Sequence, residues 1–463
     1  MYRSILTSAA LLLMVAASGT AQQVPLDLLI RTVAVPPIAT DTENSRDLVL
    51  ADLDGDGDLD SFVTNQNQNN ALYWNNGNGT FTRQTSTAIC NDGGNSFGVV
   101  AGDIDGDNDL DIFVTNRGGE PNFLYVNQGG TQGGSQGVFF REFGDVVATD
   151  VGNSRGATFG DIDGDGDLDL FVANTSNENN WLYVNQGGLQ GGTQGSFQRV
   201  TTGSVVGDGG VSHEGTFGDI DGDGDLDLYV ANGGGAVGSP GGHNFLYLND
   251  GSGSFTRVTT GPAVNDLGNS KDAAFGDMDG DGDLDLFVAN NQAEPNDLYE
   301  NNGSGSFAAV TTGPLVQGNK ESESALWFDM ESDGDMDLFV ANQDFQKNDL
   351  FLNDGTGGFQ AQALGPLPQD KASSQSAAAG DLNGDGHLDL IVVNKGGEAN
   401  DIYRSEGPQW RNLGNATPGV NGNPTLSTTG NFLNGQLQTF TIENAAPTSD
   451  IYHVVGFSNI NAP

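Results

Sequence analysis

The chain has 463 residues, with 62 Asp or Glu against 16 Lys or Arg, a formal charge of −46. This balance excludes nucleic acid and anionic lipid headgroups as partners, because both are repelled at long range. With 36% hydrophobic residues and 70 glycines, two classes remain: a disordered acidic chain, or a turn-rich fold whose carboxylates are neutralised by cations.

The N-terminus has the pattern of a secretory signal over residues 1–21. Arg3 supplies the positive charge, Ala9–Ala17 a short apolar run, and Gly19-Thr20-Ala21 the small cleavage residues. The pattern predicts a mature chain beginning at Gln22 that is secreted or held at the cell surface. The apolar run is too short to span a bilayer as a helix, and no later segment is long enough. Cys90 is the single cysteine, so no intramolecular disulfide forms and the thiol is expected to be a small buried hydrophobe.

An acidic nonapeptide then recurs seven times. It reads DLDGDGDLD at Asp52, DIDGDNDLD at Asp103, DIDGDGDLD at Asp161 and Asp219, DMDGDGDLD at Asp277, DMESDGDMD at Asp329 and DLNGDGHLD at Asp381. The start-to-start spacings of 51, 58, 58, 58, 52 and 52 residues each hold about four short strands, the size of one propeller blade. Seven residues before each first Asp stands a serine: Ser45, Ser96, Ser154, Ser212, Ser270, Ser322 and Ser374. After the motif come apolar runs such as Leu168–Asn174, Leu182–Asn185 and Ser196–Val200, bounded by Asn, Gly and Asp, which read as β-strands.

In the copy at Asp161, acids occupy positions 1, 3 and 5, Gly166 at position 6 permits a sharp turn, Asp167 offers a backbone carbonyl at position 7, and Asp169 closes the loop. Hard oxygen ligands at this spacing suit Ca²⁺ better than Mg²⁺. Without a cation such neighbouring carboxylates repel one another. The copies hold five acids each in the first six and three in the last, 33 of the 62. The loop is not an EF-hand, since position 12 of that copy is Val172 rather than Glu and no helices flank it. Asn108 at position 6 is compatible with a left-handed turn, whereas Glu331 and Asn383 are expected to weaken the last two sites, and His387, at a position where only the backbone is needed, is expected to be a bystander rather than a ligand.

The segments Phe159-Gly160-Asp161, Phe217-Gly218-Asp219 and Phe275-Gly276-Asp277, each opening a DxDxDG loop, resemble FG-GAP (VCBS) repeats, which build the integrin α-subunit propeller and many secreted bacterial proteins. The resemblance covers residues 28–406. It implies an all-β, seven-bladed β-propeller in which the acidic loop joins adjacent strands of a blade and positions 1, 3, 5, 7 and 9 bind calcium. Those positions are Asp52, Asp54, Asp56, Asp58 and Asp60; Asp103, Asp105, Asp107, Asp109 and Asp111; Asp161, Asp163, Asp165, Asp167 and Asp169; Asp219, Asp221, Asp223, Asp225 and Asp227; Asp277, Asp279, Asp281, Asp283 and Asp285; Asp329, Glu331, Asp333, Asp335 and Asp337; and Asp381, Asn383, Asp385, His387 and Asp389. About seven Ca²⁺ ions are expected. The "FG" pair is missing at Leu50-Ala51, Ala101-Gly102, Trp327-Phe328 and Ala379-Gly380, a departure that bears on local packing.

Ring closure is also legible. Residues 30–45 align without a gap to 255–270, so a strand at 30–35 belongs to a repeat whose other strands lie in the seventh copy. Beyond Gln409 the pattern stops. Residues 409–463 read as a β segment, with strands at 437–442 and 451–456, the beginning of a truncated module.

Three functions compete: a monomeric binding or adhesion scaffold for protein or glycan, a polysaccharide lyase or hydrolase, and a multivalent lectin. The scaffold rests on the positions after the repeated serine, which vary while their surroundings repeat: Arg46-Asp47, Phe97-Gly98, Arg155-Gly156, His213-Glu214, Lys271-Asp272, Glu323-Ser324 and Gln375-Ser376. A variable ring on a constant frame suits recognition. Ordinary solvated loop residues fit the same pattern. An enzyme needs a cluster of acid, base or nucleophile in one blade, but His213, His243, His387 and His453 are scattered. A lectin predicts identical aromatics in every blade. Tyr73, Tyr125, Tyr183, Tyr247, Tyr299, Phe351 and Tyr403 fit that rule, but plain core packing is the preferred reading of them.

Overall fold

The structure, a computed structural model, describes residues 29–31, 37–234, 242–362 and 371–405, and two further strands at 425–429 and 439–443. The expected signal (residues 1–21) and the expected strand at 451–456 lie outside the described residues. Two compact units divide the chain: one spans Asp27–Gly407, the other joins Met1–Leu26 with Pro408–Pro463. Among its described residues the second unit holds one antiparallel hairpin, Thr425–Thr429 with Thr439–Glu443.

The first unit is a seven-bladed β-propeller. Blade 3 shows the plan. Its strands Ser154–Gly160, Asp169–Asn174, Trp181–Asn185 and Phe197–Arg199 pair antiparallel in chain order. The acidic loop joins the first strand to the second. The other first strands are Ser45–Ala51, Gly94–Gly102, Ser212–Gly218, Ser270–Gly276, Ser322–Phe328 and Ser374–Gly380. Each packs against the first strands of both neighbouring blades, that of blade 1 on that of blade 7 included, so together they line the axis as a closed ring. In every blade the second strand is buried along its core stretch, as in Asp169–Asn174, whose six residues are all buried. Such strands therefore read as near-continuous apolar runs rather than alternating ones.

The core lies between blades. One cluster joins Ile104, Phe113 and Leu124 of blade 2 to Leu170, Val172 and Tyr183 of blade 3. The seam between the chain ends is packed in the same way, with Leu48, Val63 and Tyr73 of blade 1 against Leu382, Ile391 and Ile402 of blade 7. Blade 7 takes its fourth strand from the N-terminal side, Leu29–Arg31 pairing with Tyr403–Ser405, which covers the edge of that third strand. Residues 32–35 of the expected closing strand lie outside the described residues. Cys90 is buried in the core between blades 1 and 2.

Six of the seven seams carry one more link. Asn127 donates from Nδ2 to the carbonyl of Leu53 at 3.0 Å, and Asn185 to that of Ile104 at 2.8 Å, in each case reaching the acidic loop of the preceding blade. Across the closing seam Asn75 donates to Leu382 at 2.9 Å. If the ring is closed, Asn75→Ala and Asn127→Ala orphan equivalent buried carbonyls and cost the same, about 1–3 kcal/mol each. Urea unfolding of the two variants checks this. A negligible loss for Asn75→Ala beside a full loss for Asn127→Ala would mean an open ring.

Candidate functional site

Two sets of side chains stand at opposite ends of the first strands: the acidic loops after their last residue, and the ring that follows the serine at their start.

In the loop of blade 3, Asp161 accepts Asp165 N–H on Oδ1 (3.0 Å) and Gly166 N–H on Oδ2 (2.9 Å). This curls the chain into a tight turn, with Gly166 at φ +91°, a conformation that glycine adopts without steric cost. Asn108 takes the same place in blade 2 at φ +68°. Asp169 is fully buried. Its Oδ2 accepts Ile162 N–H (3.1 Å) and its Oδ1 accepts Asn185 N–H (2.7 Å), which clips loop to third strand. The carboxylates at positions 1, 3 and 9 come together: Asp52, Asp54 and Asp60; Asp103, Asp105 and Asp111; Asp161, Asp163 and Asp169; Asp219, Asp221 and Asp227; Asp277, Asp279 and Asp285, with one oxygen of each within 4.8 Å of the others.

These triads fit a metal ion. One position-3 oxygen in each (on Asp54, Asp105, Asp163, Asp221 and Asp279) is buried without a hydrogen-bond partner, a costly arrangement unless a cation completes it. The position-9 acids are under similar pressure. Burial pushes Asp60 and Asp169 up to about 7, Asp111 to about 8, and Asp227 and Asp285 to about 6, against the pull of the two backbone N–H groups each accepts.

Positions 5 and 7 are not members of these triads, although Asp56, Asp107 and Asp223 at position 5 contact the position-3 acid of their own loop. Asp56, Asp223 and Asp281 are exposed, while Asp107 and Asp165 each accept the N–H two residues on. Asp109 and Asp167 at position 7 are buried, each with an unpartnered oxygen. The last two loops depart as their sequences suggest. Glu331 reaches Asp337 itself, and burial together with the Asp337 charge raises its pKa. Asn383 turns its amide nitrogen to Asp389 (3.2 Å), and His387 donates only its backbone N–H, to Asp385.

At the other end, a β-bulge interrupts every first strand just after the serine. Ser45 pairs with Asn65 and Asp47 with Thr64, leaving Arg46 unpaired. The same slip leaves out His213, Lys271, Glu323 and Gln375, and in blades 2 and 3 it falls across Phe97-Gly98 and Arg155-Gly156. A bulge bends the strand and re-aims a side chain. Here it turns one residue from each blade towards the axis, where they meet. Arg155 of blade 3 pairs with Glu323 of blade 6 at 2.7 Å and also contacts Nδ1 of His213. Arg46 donates to Gln375 at 2.6 Å and to Gln66. Phe97 lies under the guanidinium groups of Arg46 and Arg117, 4.9 and 4.7 Å from its ring centre.

The solvated-loop reading of these positions therefore fails, because they are strand residues and Phe97, His213, Glu323 and Gln375 are buried. Three sequence candidates serve the frame instead. Asp47 accepts Leu48 and Val99 N–H, and Asp272 accepts Ala273 and Ala325 N–H, clipping blade 1 to 2 and blade 5 to 6. Glu214 lies against Gly156, where a Cβ would sit 2.1 Å from its carboxylate, and burial raises its pKa well above the usual range.

Two sets of repeated partners escaped the sequence reading. Each serine donates to an asparagine 20 residues on, as in Ser45 to Asn65 and Ser374 to Asn394; that constant spacing was a usable signal. The repeated tyrosines are core residues whose hydroxyls bond outlying aspartates: Tyr73 to Asp41, Tyr125 to Asp92, Tyr183 to Asp150 and Tyr247 to Asp208. Arg83, Arg141, Arg199 and Arg257 pair with the same four acids.

Among solved structures, an Agrocybe aegerita lectin, from work on recognition of non-reducing terminal N-acetylglucosamine, is 21% identical, covering 70% of this chain and 81% of that one at a TM-score of 0.46. YCF48 bound to D1 peptide is 9% identical (82% and 99%, TM-score 0.48), and the rhamnogalacturonan lyase YesW is 14% identical (86% and 80%, TM-score 0.44). No curated protein matches the chain. The FG-GAP-like repeat matches residues 52–114, 103–172, 161–230, 235–288, 277–340 and 329–392. With its acidic loops and seven four-stranded blades, the chain belongs to the FG-GAP-like repeat family.

Proposed function

We propose that this protein is a calcium-loaded binding and adhesion scaffold, secreted or held at the cell surface, that recognises a protein or glycan through its axial ring and carries out no catalysis. The observation that supports this most is the set of seven bulges. A frame that repeats its serine, asparagine and acidic loop in every blade turns a different side chain to the axis from each: Arg46, Phe97, Arg155, His213, Lys271, Glu323 and Gln375. Variation confined to one ring of a repeated fold is what a recognition surface needs. The secretory pattern of residues 1–21 supports the location.

Calcium is the ion of choice because every donor is a hard oxygen. The five triads would hold it tightly and the loops at Asp329 and Asp381 weakly, seven sites in all. The ion would keep the carboxylates charged and lock each loop to its blade.

Two tests follow from this reading. A glycan array and a panel of purified surface proteins, probed with calcium-loaded protein, should yield ligands that Lys271→Ala and Phe97→Ala lose by roughly tenfold or more. Ring variants that bind every ligand like the parent would contradict it. The second test is a pH series. With the position-9 pKa values raised in the folded state to about 6–8, the metal-free protein has its greatest contribution from these groups below about pH 4 and loses it as pH rises through about 6–8. The calcium-loaded protein should respond in the opposite sense, losing stability on acidification as protons displace the ion. Melting temperatures from pH 5 to 8, with calcium and with chelator, check the inversion. Parallel curves would contradict it.

A further inference from the structure

Cations in this chain are scarce, and most of those described on the outer parts of the blades are matched to acids, Arg404, which donates to the backbone carbonyls of Asn78 and Gly79, being an exception. Arg83, Arg141, Arg199, Arg257 and Lys320 each have a carboxylate partner. At the axis the pattern reverses. Arg46 donates only to the neutral amides of Gln375 and Gln66, and its buried Nε has no partner. Arg117 touches Phe97 through its guanidinium, and among the described residues that group has no carboxylate partner. Lys271 forms no ion pair among the described residues. With 62 acids available to 16 bases, three unmatched cations at one end of one channel are not explained by the fold.

The geometry brings more positive charge to the same end. Arg117 and Lys395 each follow the asparagine that closes a second strand, Asn116 and Asn394. They form a rim beside the bulge ring, and Lys395 is held there by Gln343. Burial first, and then the charge of Arg155, lowers the pKa of Arg46 to about 10, that of Lys271 to about 8, and that of Arg117 as well. Asp344 pairs with Lys395 at 3.8 Å and Glu321 bears on Lys271, but the other acids nearby are committed elsewhere. Asp47 and Asp272 spend both oxygens on backbone N–H groups. Glu214 is driven towards its neutral form by burial. Glu323 is engaged by Arg155 on one oxygen and by Asn291 on the other. The Arg155 side chain is still 19% exposed and that of Lys395 23%, so solvent reaches the cluster.

We infer that the serine end of the axis binds one compact oxyanion, a carboxylate or sulfate group, gripped by Arg46, Arg117 and Lys271. This deepens the scaffold reading and rests on it for the ring as the recognition surface. Guanidinium and ammonium groups hold such anions by charge-assisted hydrogen bonds. An extended polyanion is disfavoured by the net charge of −46, so the ligand is a single acidic group, on a sugar or as the free ion.

The test uses full-length, calcium-loaded protein dialysed free of unbound calcium. Calorimetry at low ionic strength titrates it with D-galacturonate, with sulfate, and with D-galactose as the neutral control. The expected result is saturable binding of one anion per chain for at least one of the two, and none for galactose. Arg117→Gln and Lys271→Gln should each weaken it roughly tenfold, about 1.4 kcal/mol, at an unchanged melting temperature. Which anion binds identifies the source, carboxylate or sulfate. Labelling of Lys271 in the parent protein by an amine-reactive reagent, read by mass spectrometry, should be slowed by the bound anion, a readout that needs no variant. No saturable binding of either anion, equal binding of galactose, or parent-like binding by both variants would overturn the inference. If that happens while an array ligand still depends on the ring, the scaffold reading survives and the oxyanion site falls. If neither is seen, both fall.

Discussion

A carboxylate buried at the root of each second strand is the constraint on which the other contacts depend. Asp60, Asp111, Asp169, Asp227, Asp285, Asp337 and Asp389 are all nearly or wholly removed from solvent, where an isolated charge is expensive. Each answers part of that cost by accepting two backbone N–H groups, one from its own loop and one from the third strand, as Asp389 does with Leu382 and Ser405. In five blades the acids at positions 1 and 3 crowd the same point and leave a buried oxygen unmatched. Hydrogen bonding alone cannot satisfy such a cluster; a divalent cation can. Because an asparagine of the next blade holds the carbonyl at position 2 of the loop, as Asn249 holds Ile162 and Asn301 holds Ile220, what fixes a loop also fixes a seam.

The two ends of the first strands are thereby given different work. At the loop end five blades repeat the same carboxylate triad, and all seven bury the position-9 acid. At the serine end the bulge frees one residue per blade from the ladder, so its identity is not dictated by pairing. The side chains that meet there come from blades distant in sequence: Arg155 and Glu323 are 168 positions apart. A ring so assembled depends on every seam being closed, which links the acidic loops to recognition without the two sets touching.

Much of this was legible in the sequence because the period is strict. Seven acidic nonapeptides in register gave the blade count and the loops, and the match of residues 30–45 to 255–270 pointed to the closing strand, seen at Leu29–Arg31. The acids at positions 1, 3 and 9 converge, whereas the spacing gave no means of telling them from positions 5 and 7, since that depends on which oxygens the backbone takes. The bulge has no signature in residue type, so Arg46 and its counterparts were compatible with loop or recognition surface until pairing was known. Asp47 and Asp272 looked like members of the variable ring. Their role as clips rests on N–H groups of neighbouring blades, 52 and 53 residues away, which no local pattern reveals. For Tyr73 and its repeats core packing was the preferred reading over a lectin site, and their burial agrees with it.

The most direct test of the account is a thermal melt of the same protein in chelator and in millimolar calcium. Ions that bind only the folded state stabilise it by about 2.7 kcal/mol per site at a hundredfold excess over Kd, and five or more sites act together. The account predicts that chelation lowers the melting temperature by on the order of 20 °C and opens the acidic loops to protease. Superimposable curves would mean that the buried carboxylates are satisfied without metal and would contradict it.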